Sequence, residues 1–273
     1  NGESDDVALA IDEHWMPRGE KSPLPQSPAG VIVSIADKID NIISCFSLGL
    51  KPTSSSDPYA LRRQVLGIIK TLVNGRYNVS IVDILTRCFE NFKLSQESIA
   101  NPDAVADILV FITNRIKTVF QEYGLAYDEI EASLSQGFDD IYDIFCRINA
   151  LNTFRSASPE AFKDLYEVYK RSKGQLNKEP QHPFSEELLA ATEEKALHDA
   201  LTTAEDAVTS AISSHDYPAA YTALSTLQPP LADFWTHIKV LDDDTSIRNN
   251  RLSLLQRTLS LFATLLDFSR IRC

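Results

Sequence analysis

The chain has 273 residues, 44% of them apolar, and a net charge of −12. That is enough apolar material for two domains with their own cores, while the acidity argues against a generally basic nucleic-acid-binding surface. No apolar run approaches the ~20 residues of a membrane span. The four cysteines, Cys45, Cys88, Cys146 and Cys273, form no Cys-x-x-Cys pair, so neither zinc nor a disulfide framework is indicated and a reducing cytoplasm is the expected setting.

The charge is uneven. Residues 1–76 carry −1, residues 77–238 carry −13 and residues 239–273 carry +2. Any nucleic acid is therefore expected to meet the two ends of the chain and to be repelled by the middle; the alternative is that the acidic middle is an ordinary solvated surface.

In chain order, residues 1–16 become helical at Val7, Leu9, Ala10 and Ile11. Pro17, Pro23, Pro25 and Pro28 then impose an extended loop. A helix follows with Ile32, Ile35, Ala36, Ile39, Ile42, Ile43 and Phe46 inward at helical spacing and Asp37, Lys38, Asp40 and Asn41 outward. Gly49 stops it in a left-handed conformation and Pro52 prevents resumption. Asp57 is the expected N-cap of the next helix, with Pro58 in its first position. That helix buries Leu61, Val65, Leu66, Ile68, Ile69 and Leu72 and ends at Asn74-Gly75. Arg62 and Arg63 would then lie in its first turns, where the dipole disfavours cations, so they need a partner.

Ser80 caps a short helix over 78–93, and Lys93 to Asn101 is a boundary. Asn101-Pro102 opens a helix running from Val105 to Tyr123, ended by Gly124. Helices are expected at 128–136 and 139–151. Ser158-Pro159 begins another, ending in Lys170-Arg171-Ser172-Lys173, where cations suit the helix C-terminus. Residues 177–184 read as a loop. Ser185 is the expected cap of a long helix through Ile212, and Tyr217-Pro218 and Pro229-Pro230 open two more. Asp242-Asp243-Asp244 supplies caps for a last helix starting near Ile247. Its apolar stripe is Leu252, Leu255, Leu259, Phe262 and Leu266, and its first turn is basic. No alternating strand pattern, phosphate loop, serine elbow or paired catalytic carboxylates occur. The fold class is all-α.

Four strings point further: "EHWMPR" from Glu13, "ADKID" from Ala36, "GLKPTSSSDPYALRRQVLGI" from Gly49 and "IRNNRLSLLQRTLSLF" from Ile247. In this order the chain resembles the β subunit of the bacterial α2β2-type glycyl-tRNA synthetase. Because it starts without methionine and inside a motif, the chain is expected to be a C-terminal fragment. The resemblance implies a degenerate HD-like helical remnant over 1–94, a helical connection over 95–156 and a DALR-type anticodon-binding bundle over 157–273. It implies a glycine–tRNA ligase as the whole protein, with no catalytic residue here, and with ATP and Mg used by the catalytic subunit. The implied partners are tRNA-Gly and the α subunit or a fused α half, not DNA or a membrane.

HD-type hydrolases hold a divalent ion with Asp and His, whose hard oxygens and imidazoles suit such metals. Asp37 stands where the last such Asp would be and His14 is a second possible ligand, but the adjacent His-Asp pair is absent, so no metal site is assigned. The alternatives are an HD-type metal-dependent phosphohydrolase, or a helical scaffold for subunit assembly. The candidate tRNA contacts are Arg248, Asn250 and Arg251 at the start of the last helix, together with Arg62 and Arg63. Arginine suits that role because its planar fork matches phosphate and guanine edges and stacks on splayed bases. The preceding aspartates could instead neutralise these arginines within the fold.

Overall fold

The computed structural model describes residues 2–19, 21–96, 101–135, 137–176 and 180–272. All regular structure among them is helical, and no helix there is long and apolar enough to cross a membrane. The chain divides into two compact units: residues 1–124 with 138–145, and residues 125–137 with 146–273. The stretch expected as a connection over 95–156 is thus shared between the two. Cys273, part of the expected 177–184 loop and part of the Lys93–Asn101 boundary lie outside the described residues.

In the first unit, α1 (Asp5–Glu13) packs on α2 (Pro28–Ser47), and α2 in turn meets α3 (Leu61–Gly75), α4 (Ile81–Gln96) and α5 (Ala104–Glu122). Pro28 was expected in a loop. It is instead the first residue of α2, where its missing N–H costs nothing, and the Ser27 hydroxyl accepts from the Gly30 N–H at 3.0 Å. The second half of α2 buries Ile39, Ile42, Ile43 and Phe46 as the spacing predicts. The first half is rotated from that expectation. Ile32 and Ala36 face solvent, whereas Ser34 and Lys38 are buried. The cause is the loop after α1: Lys38 Nζ donates to the carbonyls of Met16 (2.7 Å), His14 and Ser34 (both 3.2 Å) and to Ser34 Oγ (2.7 Å). Gly49 adopts the left-handed φ of 74° that the stop requires.

The helix after the Thr53–Ser56 loop begins at Leu61 rather than Pro58. Residues 57–60 form a turn, Ala60 is left-handed at φ 53°, and Asp57 reaches over it to accept from the N–H groups of Leu61 (2.9 Å) and Arg62 (3.0 Å). Asp57 therefore still caps the free amides, from one turn further away.

The second unit contains α6 (Tyr127–Leu134), the part of α7 (Ile141–Ala157) from Cys146 onward, α8 (Pro159–Leu176), α9 (Thr192–Ser213), α10 (Tyr217–Ser225), α11 (Gln228–His237) and α12 (Thr245–Ala263). Its core joins Leu165, Leu197, Leu201, Tyr221, Phe234, Leu255, Phe262 and Phe268. Tyr217, Tyr221 and Phe234 are all buried in this core. The long helix does not start at Ser185. A short 3-10 turn occupies Glu186–Leu188, and α9 starts at Thr192 because the buried Glu194 carboxylate accepts from the N–H groups of Ala190 (2.8 Å) and Ala191 (3.0 Å).

Candidate nucleic-acid interface

The first turn of α12 is built by its aspartates. Asp244 Oδ1 accepts from the N–H groups of Ser246 (2.7 Å) and Ile247 (3.3 Å) and so caps the helix. Asp242 accepts from the Asp244 N–H at 3.0 Å and from Arg251 at 2.6 Å. The backbone bond first, and Arg251 after it, hold the Asp242 carboxyl below its ordinary range. Arg251 also donates to the Lys239 carbonyl at 2.9 Å and through Nε to Glu194, which is 1% exposed. This guanidinium ties α12 to α9 and to the loop before it.

Asn250 is 3% exposed, and its Oδ1 accepts from the Ser185 N–H at 2.8 Å. Its side chain faces the protein, against the expectation that it contacts RNA, because the helix repeat that turns Arg248 outward turns position 250 inward. Arg248 is half-exposed, and its only partners among the described residues, the Asp242 carbonyl and Thr245 Oγ1, are both at 3.5 Å, the outer limit of a hydrogen bond. Of the three residues singled out on this helix, Arg248 keeps a guanidinium available to a ligand.

The arginine pair of the first unit divides in the same way. Arg62 lies 3.7 Å from the Asp57 carboxylate and donates to the Thr53 carbonyl, so it closes the loop before α3. Arg63 is exposed and has no ion-pair partner among the described residues. It lines a cleft of about 710 Å³ whose walls include Trp15, Arg18, Tyr59 and Gln64, with Lys38 and Asp37 also contributing. Trp15 is 67% and Tyr59 51% exposed. Arg18 is paired with Asp12. Exposed aromatic faces beside arginines are what an unpaired base and its phosphates require. Burial lowers the pKa of Lys38, against the opposing charge of Asp37.

Sequence reasoning did not single out Trp15, Arg18 or Tyr59. They lie inside the quoted strings, but nothing in a loop's spelling says which aromatic stays in solvent. His14 lies against the Ile11 carbonyl and meets the Trp15 ring edge-on at 5.3 Å. Asp37 is exposed and accepts from Asn41 at 3.5 Å. Among the described residues no three His, Cys, Asp or Glu side chains form a group able to hold a metal. Burial raises the thiol pKa values of Cys45 and Cys88.

Two family models match the chain: the glycyl-tRNA synthetase beta subunit over residues 1–135 and the DALR anticodon binding domain over residues 165–272. Among curated proteins, the glycine–tRNA ligase beta subunit of Desulforamulus reducens is 35% identical over 272 residues, and those of Syntrophus aciditrophicus and Citrifermentans bemidjiense are each 36% identical over 272 and 273 residues. Each alignment covers 99% of this chain, and the chain spans 39% of the length of each relative. The second model falls on α8 to α12 and includes the basic turn of α12; the first takes in the cleft, with Trp15, Tyr59 and Arg63. With both matches in chain order and relatives of one kind aligned along 99% of this chain, the chain belongs to the glycyl-tRNA synthetase β-subunit family.

Proposed function

We propose that this chain is a tRNA-binding part of a glycine–tRNA ligase, positioning tRNA-Gly for aminoacylation by an α subunit or a fused α half. The observation that carries this reading is the coincidence of the DALR anticodon-binding match, residues 165–272, with the helices of the second compact unit. The first unit supports it with a cleft that combines Trp15, Tyr59 and Arg63. On this reading ATP and magnesium serve the catalytic partner, and this chain contributes binding energy and orientation.

The contacts assigned on this reading are Arg63 and Arg248, whose guanidinium groups the fold leaves accessible. Arg62, Arg251 and Asn250 are spent within the fold, holding the loop before α3 and the start of α12. Titration with tRNA-Gly, and with a tRNA altered in the anticodon loop, at two salt concentrations tests the reading. Specific binding is expected, with a steep salt dependence, and Arg63→Ala and Arg248→Ala are each expected to lower the slope of log K against log[salt] by about 0.7–0.9 without changing the melting temperature. Equal binding of both tRNAs, or none to either, refutes it.

A further inference from the structure

The end of α8 carries Lys170-Arg171-Ser172-Lys173-Gly174-Gln175, a run without a single carboxylate in an otherwise acidic part of the chain. All three cations are exposed. Each is held over an aromatic ring. Lys170 Nζ lies 5.6 Å from the centroid of Tyr166 and Lys173 Nζ 5.6 Å from that of Tyr169, both one turn back on the same helix. The Arg171 guanidinium lies 4.3 Å from the ring centroid of Trp235 on α11.

The partners distinguish these cations from others in the unit that lie near rings. Arg155 is over Phe162 but is bound to Asp128 and Glu129, and Arg257 is over Phe184 but is bound to Glu205. Arg147 is over Tyr217 and donates to the Leu265 carbonyl. Their charge or their donors are used within the fold. Arg171 has no oxygen partner among the described residues, and Lys173 donates only to the Tyr169 hydroxyl, at 3.3 Å. Lys170 has Glu167 at 3.3 Å, a pair exposed on both sides and so weak.

A carboxylate neutralises a cation. A ring face positions it and leaves the charge intact. A guanidinium held over an indole face keeps its N–H donors unspent, and its planar fork is pre-organised, so little further rotamer entropy is lost when oxygens bind it. Positions 170, 171 and 173 span less than half the helix circumference, and 170 and 173 are separated by roughly 4.5 Å along the axis. Together they form a row of pre-positioned donors, in which Arg171 and Lys173 have no carboxylate partner among the described residues and Lys170 has only the exposed Glu167.

We infer that Lys170, Arg171 and Lys173, set on Tyr166, Trp235 and Tyr169, form a phosphate-binding face for the RNA backbone. This rests on the tRNA-binding reading above and adds to it a contact surface separate from the start of α12. The face recognises phosphates and not base edges, so it contributes affinity and orientation without sequence preference.

The test is a salt titration of tRNA-Gly binding with two triple variants of the whole chain. One carries Lys170→Gln, Arg171→Gln and Lys173→Gln. The other removes the same number of charges from exposed positions of the first unit, through Arg76→Gln, Arg87→Gln and Lys93→Gln. The α8 variant is expected to bind tenfold or more weakly at low salt, with the slope of log K against log[salt] reduced by about 2, and to lose as much affinity for an anticodon-altered tRNA. The control is expected to stay within about twofold of the parent. If the α8 triple variant does not fold, Arg171→Gln and Lys173→Gln are measured singly, with a slope reduction of about 0.7–0.9 each expected. Parent-like affinity and slope in the α8 variant overturn the inference alone, as does an equal loss in both triple variants. Loss of α-subunit assembly with unchanged tRNA binding overturns it in favour of an acidic protein partner. A parent chain that binds no tRNA overturns the broader reading and this face with it.

Discussion

Arg251 is where a binding role and a structural role make opposite predictions. Replacing it with alanine leaves the Glu194 carboxylate, 1% exposed, without its cation and frees the Lys239 carbonyl and one Asp242 oxygen. Removing one partner of a buried ion pair costs about 3–5 kcal/mol. Here Glu194 keeps two backbone N–H donors, from Ala190 and Ala191, so the lower end applies, about 3 kcal/mol. At about 2–4 °C per kcal/mol for a unit of this size, the melting temperature should fall by about 6–12 °C. Urea unfolding and thermal melts of Arg251→Ala, Glu194→Ala and the double variant measure it. Because the two side chains form one contact, the double variant should be less destabilised than the two single losses added together, by about 2 kcal/mol. Binding of tRNA by the folded fraction should change little. An Arg251→Ala variant that melts like the parent and binds tRNA more weakly would refute this reasoning and return Arg251 to the RNA surface.

A Cβ at Gly30 would sit 1.9 Å from Glu13 Oε2 and 2.7 Å from Glu13 Cβ. Gly30→Ala should therefore cost about 1–3 kcal/mol as an overpacked site, with partial relief in a Glu13→Ala background, measured by urea unfolding of both. Glu13 itself accepts from the Ser27 hydroxyl and from the N–H groups of Gln26 and Ser27. The hydroxyl bond first, and the amides with it, hold its pKa below 4.5 against the effect of burial. Its contribution is thus fully present above 4.5 and lost as pH falls from there through the folded-state value, so Glu13→Gln should flatten the acid limb of a melting-temperature profile. Lys38, 5% exposed, has its pKa pushed below 10.5 by burial. The unfolded chain then binds the extra proton, and stability should rise with pH from the depressed folded value up to 10.5. Lys38→Met should abolish that rise; a profile unchanged by the substitution would show that the ammonium is solvated.

The helices, the left-handed stop at Gly49 and the Asp244 cap at α12 were legible because each depends on near neighbours in sequence: a repeat of 3.6 residues, a φ that glycine tolerates, a side chain within reach of the next amides. The family strings were legible for the same reason, being read letter by letter. What each polar group faces was not. Ser34 and Lys38 spell a solvent face, yet they are buried because carbonyls from residues 14 and 16 come to meet them. Arg251 and Arg248 are spelled alike, one turn apart, and only the arrival of Glu194 from a helix more than fifty residues earlier separates a structural arginine from an accessible one. Lys170, Arg171 and Lys173 read as ordinary helix-end cations until α11 places Trp235 under one of them. Local patterns determine which elements form. Which cations stay unneutralised depends on groups distant in sequence, and only the packed chain brings those together.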